Sequence, residues 1–241
     1  VKRALMIGTM ASGGTATAGK AVQVRSADKA KVLFGNGSPA SVMAAEFLSH
    51  NTTEELYVLP IAEPTAGTKW NRSFAVAASN AASGSVSITV NGTELSAAVA
   101  EGATADAVAA AITAAINGAE NCPVEAEVVT DAETSKVSVK ISSVVKGVTG
   151  NSNTVTIESS ASGVTITAQT AVLGTLSPEI EQPLKNLGAV RYHYMASEFT
   201  DSANLKALAA ELKDRYTALR QIDGRCFVAL SGELGDTSTQ D

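Results

Sequence analysis

A glycine-rich segment near the start of the chain comes close to a nucleotide-binding loop. Gly8-Thr-Met-Ala-Ser-Gly13-Gly14-Thr15 follows a short apolar run, as a phosphate-binding loop follows a strand. Gly14, however, occupies the position from which a lysine would reach the phosphates. The next patterned residues, Val22–Val24, are typical of a strand, so no helix N-terminus would face an anion. We therefore predict a flexible connection here and no nucleotide site.

The two histidines, His50 and His193, stand apart from other metal-ligating residues. Neither has a cysteine, a second histidine or an acid at the spacing of a zinc site. His50 lies near a predicted helix end, where the dipole favours a partly charged imidazole, and His193 lies in a predicted strand between two tyrosines. No Gly-x-Ser-x-Gly sequence indicates a nucleophile, although a Ser–His–Asp arrangement stays open because its members meet only in space. We predict no catalytic residue, no metal site and no cofactor.

Three pairs of acids could in principle act together. They are Glu54-Glu55, Glu125/Glu127 and Asp131/Glu133. Glycosidases use paired carboxylates, usually beside aromatic platforms for the sugar, and the middle of this chain has one aromatic residue. Asp131/Glu133 could bind a cation weakly but lacks the ligand spacing of an EF-hand. We predict that these acids form a solvated face.

The loop Lys146-Gly-Val-Thr-Gly150-Asn151 is the most distinctive in the chain. Gly147 and Gly150 permit positive φ, and Asn151 tolerates it. The pattern predicts a structural turn that precedes a strand starting at Thr154.

The elements that would position these residues fall into two groups. The first 70 residues have the pattern β-α-α-β, and their two apolar strands, joined by helices, predict a parallel pair with a right-handed crossover. The predicted elements are strands over Arg3–Gly8 and Glu55–Ala62, a helix that begins after Ser26 and ends at Gly35, and a helix capped by Ser38-Pro39.

The last 65 residues repeat this alternation. A strand over Ala189–Met195 precedes a helix that starts at Asp201 or Ser202 and stops at Asp223-Gly224, and a strand over Arg225–Leu230 follows. Glu211 and Arg215 would pair on the outer side of the helix. Its predicted apolar face contains Leu205, Leu208, Ala209, Leu212, Tyr216 and Leu219. We expect both flanks to contribute to one α/β sheet.

The segment between the flanks has a different pattern. Val86, Ile88 and Val90 alternate along a strand, and Asn91-Gly92 supplies the turn of a hairpin. A return strand over Leu95–Val99 and a helix capped by Thr104 and closed by Asn117-Gly118 follow. Further strands are predicted at Val124–Val129, Lys136–Ile141, Thr154–Glu158 and Val164–Thr167. This is an inserted, β-rich α+β domain of β-β-α-β-β type.

Composition supports the same division. Residues 71–176 contain one aromatic residue, Phe74, and carry a net charge of −5, whereas the whole chain carries −6. We therefore predict a discontinuous α/β core domain, 1–70 with 177–241, and an inserted acidic domain, 71–176. The acidic balance disfavours nucleic acid as a partner, and no apolar run approaches the roughly 20 residues of a membrane span. Cys122 and Cys226 lack motif spacing, so we expect two reduced thiols, with a disulfide left open.

Several of these segments together resemble the tail sheath proteins of Mu-like contractile phages. They are Ala4-Leu-Met-Ile-Gly8 with the glycine-rich connection, Ser26-Ala-Asp28 leading to Phe34-Gly35-Asn36-Gly37-Ser38, Glu55–Ile61, and the insertion with its Gly147…Gly150-Asn151 loop. The order matches across nearly the whole chain. The positions most similar to the family are Gly8, Phe34, Gly35, Gly37, Gly147, Gly150 and Asn151. Family members are longer, and Val1 and the polar run that ends at Asp241 suggest that this chain is a fragment.

The resemblance implies a mechanical role. Copies would assemble helically around a tail tube in the virion tail, after synthesis in the bacterial cytoplasm, and would contract to drive the tube through the host envelope. The implied partners are other copies, the tail tube protein, and the baseplate and tail terminator proteins, without nucleic acid or membrane insertion. The rigid flanks would form the inner core and the acidic insertion would face outward. A surface or adhesion module is the alternative, suggested by the Ser/Thr/Val-rich strands, and a nucleotide-dependent enzyme is disfavoured by the missing lysine.

Overall fold

Runs of alternating and continuous apolar residues form the strands of the protein. The computed structural model describes residues 2–132 and 135–229, and the strands and helices below lie within these ranges. The strands are β1 (Arg3–Thr9), β2 (Val22–Val24), β3 (Glu55–Ile61), β4 (Asn71–Val90), β5 (Thr93–Val99), β6 (Val124–Thr130), β7 (Val137–Ser143), β8 (Val155–Ser159), β9 (Ser162–Ala168), β10 (Tyr194–Ser197) and β11 (Arg225–Val228). The helices are α1 (Ala27–Phe34), α2 (Pro39–His50), α3 (Ala105–Asn117), α4 (Glu181–Lys185) and α5 (Ser202–Arg215), with a short 3-10 helix at Val148–Ser152.

The chain divides into two compact units. One combines Val1–Ala66 with Ser177–Asp241, and the other is continuous over Gly67–Leu176. We call them the α/β unit and the β-rich unit. The domain limits predicted from composition, 1–70 with 177–241 and 71–176, stay a prediction. The fold class is mixed α/β with strand-rich sheets, as predicted.

The α/β unit contains a five-stranded sheet in the order β11-β10-β1-β3-β2. β1 is its central strand and runs parallel to β3 on one side and to β10 on the other. β10 is also parallel to β11, whereas the short β2 is antiparallel to β3. The two ends of the chain thus contribute strands to one sheet.

Apolar residues cover both faces of β1, as parallel strands between helices require. Leu5 and Ile7 belong to a core cluster with Ile180 and Leu184 of the α4 region and Leu208 of α5. The alternate residues Ala4 and Met6 belong to a second cluster on the opposite face, with Phe34, Ala40 and Ala44 of the first two helices. These two clusters fix the sheet between two layers of helix.

Side-chain caps set the helix starts, as predicted. The Ser26 and Ser38 side chains accept hydrogen bonds from the third following amide, at 3.2 Å in each case, and so satisfy donors that the helix leaves unpaired. Thr104 and Asp201 act in the same way at the starts of α3 and α5. Pro39 occupies the first turn of α2, where its missing N–H costs nothing. α1 ends at Gly35, which has φ of +85°.

The predicted apolar face of α5 is wrong beyond its middle. The helix ends at Arg215 rather than at Asp223-Gly224. Leu208 is buried, but Tyr216 and Leu219 are 77% and 98% exposed. These two residues follow the helix, so the 3.6-residue spacing that placed them beside Leu208 no longer applies.

Arg215, the last residue of α5, corrects a second prediction. Its side chain pairs with Glu211 at 3.3 Å, but the pair is not on the outside, since Arg215 is 1% exposed. The guanidinium also donates to the carbonyl oxygens of Gly188, at 3.1 Å, and Val190. Arg215 therefore holds Gly188 and Val190 by side-chain bonds, and neither residue lies in a strand of the sheet. The predicted strand Ala189–Met195 is therefore wrong in its limits, and β10 covers Tyr194–Ser197.

The last strand has the predicted position. β11 covers Arg225–Val228, and the predicted final residue, Leu230, lies outside the described residues. Phe227 and Val228 on this edge strand are 58% and 38% exposed.

The β-rich unit is organised around β4, a strand of 20 residues. Its first half pairs with β7 and β9, and its second half pairs with β5 and β8. β6 extends the sheet beyond β7. Helix α3 packs against these strands through its predicted apolar positions Val108, Ile112 and Ile116, all buried. The hairpin prediction is confirmed, since Asn91 and Gly92 have φ of +48° and +84°.

The first half of β4, Asn71–Gly84, was not predicted. Phe74 and Val76 are buried there, but a run of alanine, serine and asparagine follows and lacks the alternation of a half-buried strand. Strand β9 pairs with Ala77, Ala78 and Ser83 of this weakly patterned run, so a distant strand supplies the pairing that the local pattern does not indicate.

Replacement of Arg215 by methionine tests its structural role. Arg215→Met removes the donors to two carbonyls and the buried partner of Glu211, so we expect unfolding free energy to fall by about 3 kcal/mol. The control Lys213→Met, at an exposed position of α5, should change it by no more than about 0.5 kcal/mol. Urea unfolding followed by circular dichroism measures both. Equal stability of the two variants would contradict the assignment.

Candidate functional site

The glycine-rich segment after β1 is held by its own hydrogen bonds. The amides of Met10 and Ala11 donate to Ile61 O and Phe34 O at 2.9 and 2.8 Å. Farther on, the amides of 15 and 16 donate to carbonyls of α1 at 3.2 and 2.9 Å. A phosphate site needs such amides free to face the anion. The segment is thus a fixed connection rather than the flexible one predicted, and its amides do not form a phosphate cradle.

Close packing explains the glycine that replaces the expected lysine. A Cβ on Gly14 would lie 2.6 Å from Leu33 O and 2.8 Å from the carbonyl carbon of Phe34. Any larger side chain would push this segment away from α1. The glycine that argued against a nucleotide site is therefore required by packing.

The run Phe34-Gly35-Asn36-Gly37-Ser38 forms the corner between α1 and α2. Phe34 is fully buried, and Gly35 and Gly37 have φ of +85° and +72°, a region that glycine adopts without strain. Ser38 donates from its hydroxyl to Gly35 O at 2.9 Å while it caps α2. A Cβ on Gly35 would lie 2.8 Å from Ala11 Cβ, so the corner also fits closely against the segment after β1.

Gly8 allows α2 to approach β1. A Cβ at this position would lie 3.0 Å from Ala40 N and 3.1 Å from its Cα. The small residue therefore sets the distance between the helix and the central strand. Gly8, Phe34, Gly35 and Gly37 thus lie in one region of the α/β unit, around the start of α2, and their assignment as family positions stays a prediction.

The loop around Gly147, Gly150 and Asn151 lies in the β-rich unit. Gly147 has φ of +115°, but Gly150 and Asn151 do not have positive φ, so the reason given for these two residues was wrong. Gly150 is buried instead by close packing, since its Cβ would lie 2.8 Å from Ser143 Cβ and 3.2 Å from Trp70 Cβ.

Asn151 acts through its amide group. Its Nδ2 donates to Gly174 O at 3.1 Å and its Oδ1 accepts from Gly174 N at 2.7 Å. A Cβ on Gly174 would lie 2.3 Å from Gly147 O. This two-bond contact ties the loop to the segment that leaves the β-rich unit. Sequence patterns gave no sign of Gly174, because its partner lies 23 residues away.

The histidines have structural partners. The amide of Arg3 donates to His193 Nδ1 at 3.1 Å, and the main chain of His193 bonds to Arg3 and Arg225. His193 precedes β10 rather than lying inside a strand. His50 lies in the last turn of α2, with Nδ1 2.7 Å from Ser49 Oγ. Among residues 2–132 and 135–229, no group of three or more His, Cys, Asp or Glu could hold a metal ion.

Three members of the predicted acidic pairs form ion pairs with basic residues. Lys69 Nζ lies 2.6 Å from Glu125, and Lys140 Nζ lies 2.8 Å from Glu127. Arg3 pairs with Glu55 at 3.0 Å. Glu133 lies outside the described residues. These contacts make Glu125 and Glu127 parts of surface ion pairs on the outer side of β6.

The two cysteines are free thiols. Burial raises the pKa of Cys122, and burial raises the pKa of Cys226 to about 11. Because the thiolate is the nucleophilic form, neither sulfur is activated at neutral pH.

Glu198 was missed by the sequence interpretation. It follows β10 directly, at the end of the sheet where β1 also ends. Its carboxyl accepts from the amide and the hydroxyl of Thr9, with Thr9 Oγ1 2.5 Å from Oε1. Burial raises its pKa from 4.5 to about 7, against the lowering effect of the Thr9 hydrogen bonds. An acid directly after a parallel strand was the available signal, but the strand had been placed too early.

A shallow groove of about 680 Å³ lies beside β2 and the end of α2. Several of its polar groups already bond within the chain. Glu55 pairs with Arg3, and Asn51 Oδ1 accepts the amides of Thr53 and Glu54. The groove offers no arrangement of nucleophile, base and oxyanion donors. In the described parts of the chain, no helix has both the length and the apolar character needed to cross a bilayer.

Comparison with known proteins gives a class of proteins to which this chain is similar. The chain is similar to the tail sheath proteins of Mu-like phages, and the resemblance predicted from the sequence is confirmed. The particular relative is the Mu-like prophage FluMu tail sheath protein of Haemophilus influenzae. It is 33% identical over 242 residues, which cover 98% of this chain and 48% of the relative. The chain therefore spans about half the length of the curated relative that it matches.

Solved structures are more distant. A sheath tail protein of Listeria innocua is 14% identical, with a TM-score of 0.35 over 92% of this chain and 47% of that protein. The flagellar cap protein of Escherichia coli is 12% identical, with a TM-score of 0.24 over 64% of this chain and 60% of that one. Neither score establishes a common fold. No protein-family model matches the sequence.

Removal of the Asn151 amide tests the contact with Gly174. Asn151→Ala leaves a main-chain donor and an acceptor of Gly174 without their partner, so we expect a loss of about 2 kcal/mol in the stability of the β-rich unit. Ser152→Ala, next to it and exposed, should cost less than about 0.5 kcal/mol. Thermal unfolding with hydrogen exchange at Gly174 compares them. Unchanged protection of the Gly174 amide in Asn151→Ala would count against this contact.

Proposed function

We propose that this chain is part of a structural subunit of a contractile tail sheath, in a phage or a phage-derived particle. The observation that carries the proposal is the 33% identity to the FluMu tail sheath protein along 98% of the chain. The match spans both units, so it does not depend on one short motif. The subunit would be a component of the virion tail and not an enzyme.

The proposed action is mechanical. Copies assemble helically around a tail tube, and a change in their packing shortens the sheath and drives the tube through the host envelope. Such an assembly needs a heterologous interface that does not close into a ring. The partners would be further copies, the tail tube protein, and the baseplate and tail terminator proteins.

The glycines identified in the sequence support a structural role for the subunit. A Cβ on Gly14, Gly35 or Gly150 would lie less than 3.0 Å from atoms of the chain itself, and a Cβ on Gly8 would lie 3.0 Å from Ala40 N. Such positions fix how closely the helices, strands and loops of the chain approach one another. A subunit that changes its neighbours while keeping its own fold needs a body of this kind.

The β-rich unit has the form expected of an inserted domain. The chain enters and leaves it at adjacent points, because Asn71 and Val172 exchange two main-chain hydrogen bonds of 2.9 and 2.8 Å. Thr68 N also donates to Thr175 Oγ1 at 3.2 Å. Neighbouring ends allow a domain to be inserted without distorting its host. We propose that this unit faces outward in the sheath, and the exposed acids support this placement.

The edge strand β11 offers a surface for contact between copies. Within the described residues it pairs only with β10, and Phe227 and Val228 on it are exposed. Edge strands with exposed apolar residues favour association with another chain. We assign the occupant of this edge as a second copy of the subunit.

Electron microscopy of the intact gene product tests the function. Tubular polymers are the expected result, and a protein that stays dispersed under all assembly conditions would argue against a sheath.

A variant of the edge strand tests the contact separately. Phe227→Glu places a charge on β11. We expect the mean length of the tubes to fall at least tenfold, while circular dichroism shows a folded subunit. Val129→Glu, at an exposed position of β6, is the matched control and should assemble normally. Tubes of ordinary length from Phe227→Glu would remove β11 from the interface.

A further inference from the structure

The side chain of Glu198 lies where β1 and β10 stop pairing. The last paired residues are Ile7 and Ser197, and the amide of Glu198 donates to Ile7 O at 3.2 Å. In a regular parallel ladder, the next bond would run from the amide of Thr9 to the main-chain carbonyl of Glu198. That amide donates instead to the side-chain Oε1 of Glu198. The carboxyl group therefore replaces a main-chain acceptor and adds one hydrogen bond between β1 and β10 beyond their last paired residues.

The two oxygens of this carboxyl group have unequal surroundings. Oε1 accepts both the amide and the hydroxyl of Thr9, a residue that is 1% exposed. Oε2 is buried and has no hydrogen-bond partner among the described residues. A carboxylate carries charge on both oxygens, and a buried, unpaired charged oxygen is costly. A proton on Oε2 removes that charge, and a buried hydroxyl without an acceptor costs less than a buried charge without a partner.

We propose that Glu198 is a proton-dependent clasp, which joins the ends of β1 and β10 when protonated and releases Thr9 when ionised. The protonated carboxyl group keeps Oε1 as the acceptor of both Thr9 donors. Once ionised, the group gains by turning towards water, and Thr9 then loses its acceptor. The clasp links segments that are 189 residues apart in the chain.

Neighbouring groups leave the clasp without a compensating charge. Thr9 of β1 and Ser197 of β10 are not ionisable. Asp201, which follows three residues later, bonds to Ser177 and Asn204. The interactions that shift the pKa of Glu198 are burial and the hydrogen bonds from Thr9.

The direction of the pH effect follows from these groups. The pKa of Glu198 is about 7 in the folded protein and close to 4.5 when unfolded. Below pH 4.5 the group is protonated in both states, and its contribution to stability is fully present. As the pH rises towards 7, the unfolded chain releases the proton while the folded chain holds it, so stability falls. Above about pH 7 no further loss occurs.

Two measurements on the purified chain test the clasp. Carbon NMR of the Glu198 carboxyl, assigned by its absence in Glu198→Gln, should give a titration midpoint near 7. Thermal unfolding between about pH 4 and pH 9 should show a fall in Tm of the wild type through the same window. Glu198→Gln, which keeps an acceptor for Thr9 without charge, should lack this fall and have the higher Tm at pH 8.

Glu46→Gln, at an exposed position of α2, is the matched control and should keep the pH profile of the wild type. At pH 8, exchange of the Thr9 amide should be at least tenfold faster in the wild type than in Glu198→Gln. A carboxyl midpoint below 5, or equal Thr9 exchange in the two proteins, would overturn the proposal. These results do not depend on sheath assembly, so they stand or fall separately from the proposed function.

Discussion

The parallel pairing of β1 with β10 is the contact on which the α/β unit depends. β1 contributes apolar residues to both faces of the sheet, and β10 gives it a second neighbour from the other end of the chain. Without β10, the cluster around Leu5 and Ile7 would lose Met195 and the helices connected to it. Joining such distant segments costs chain entropy, which grows slowly with loop length.

The β-rich unit lowers this cost. Because Thr68 and Thr175 are in contact at the base of that unit, a folded β-rich unit brings its two connections together. The effective loop between the two flanks is then short, and the entropy cost of pairing β1 with β10 is smaller. The contacts within β4 and its neighbours are closer in sequence than those between the flanks, so the unit can fold first. The division of the chain into two units thus favours the long-range pairing of β1 with β10.

Sequence patterns predicted the elements whose causes are local. Ser26, Ser38 and Thr104 cap helices by bonds to amides three residues away, and Asn91-Gly92 turns a hairpin by its own backbone preference. The first half of β4 and the end of α5 depend on distant partners. The spacing of Glu211 and Arg215 is typical of an exposed i,i+4 ion pair. The pair is buried because Arg215 also bonds to the carbonyls of Gly188 and Val190, which no local pattern indicates. Gly150 and Gly174 are needed for approach between segments that no local pattern connects.

The residues of the candidate site also differ in whether local or distant contacts determine them. Gly35 and Gly37 were identifiable because they end one helix and lead into the next. Glu198 was not, because its properties arise from burial and from Thr9, which lies at the other end of the chain. Its strand was also placed several residues early, since an apolar pattern does not show that Arg215 occupies the carbonyls before β10.

The shared strand β4 has a consequence for how this sequence can vary. Side chains alternate along a strand, so one added residue would reverse the faces of everything beyond it. β4 serves two sets of partners, and its pairing with β9 shifts register between Ala78 and Ser83. That irregular stretch is where an extra residue can be absorbed while the hairpin half and the β7 half both keep their inward side chains. Insertions and deletions among relatives should therefore occur in that stretch and be rare in the rest of β4.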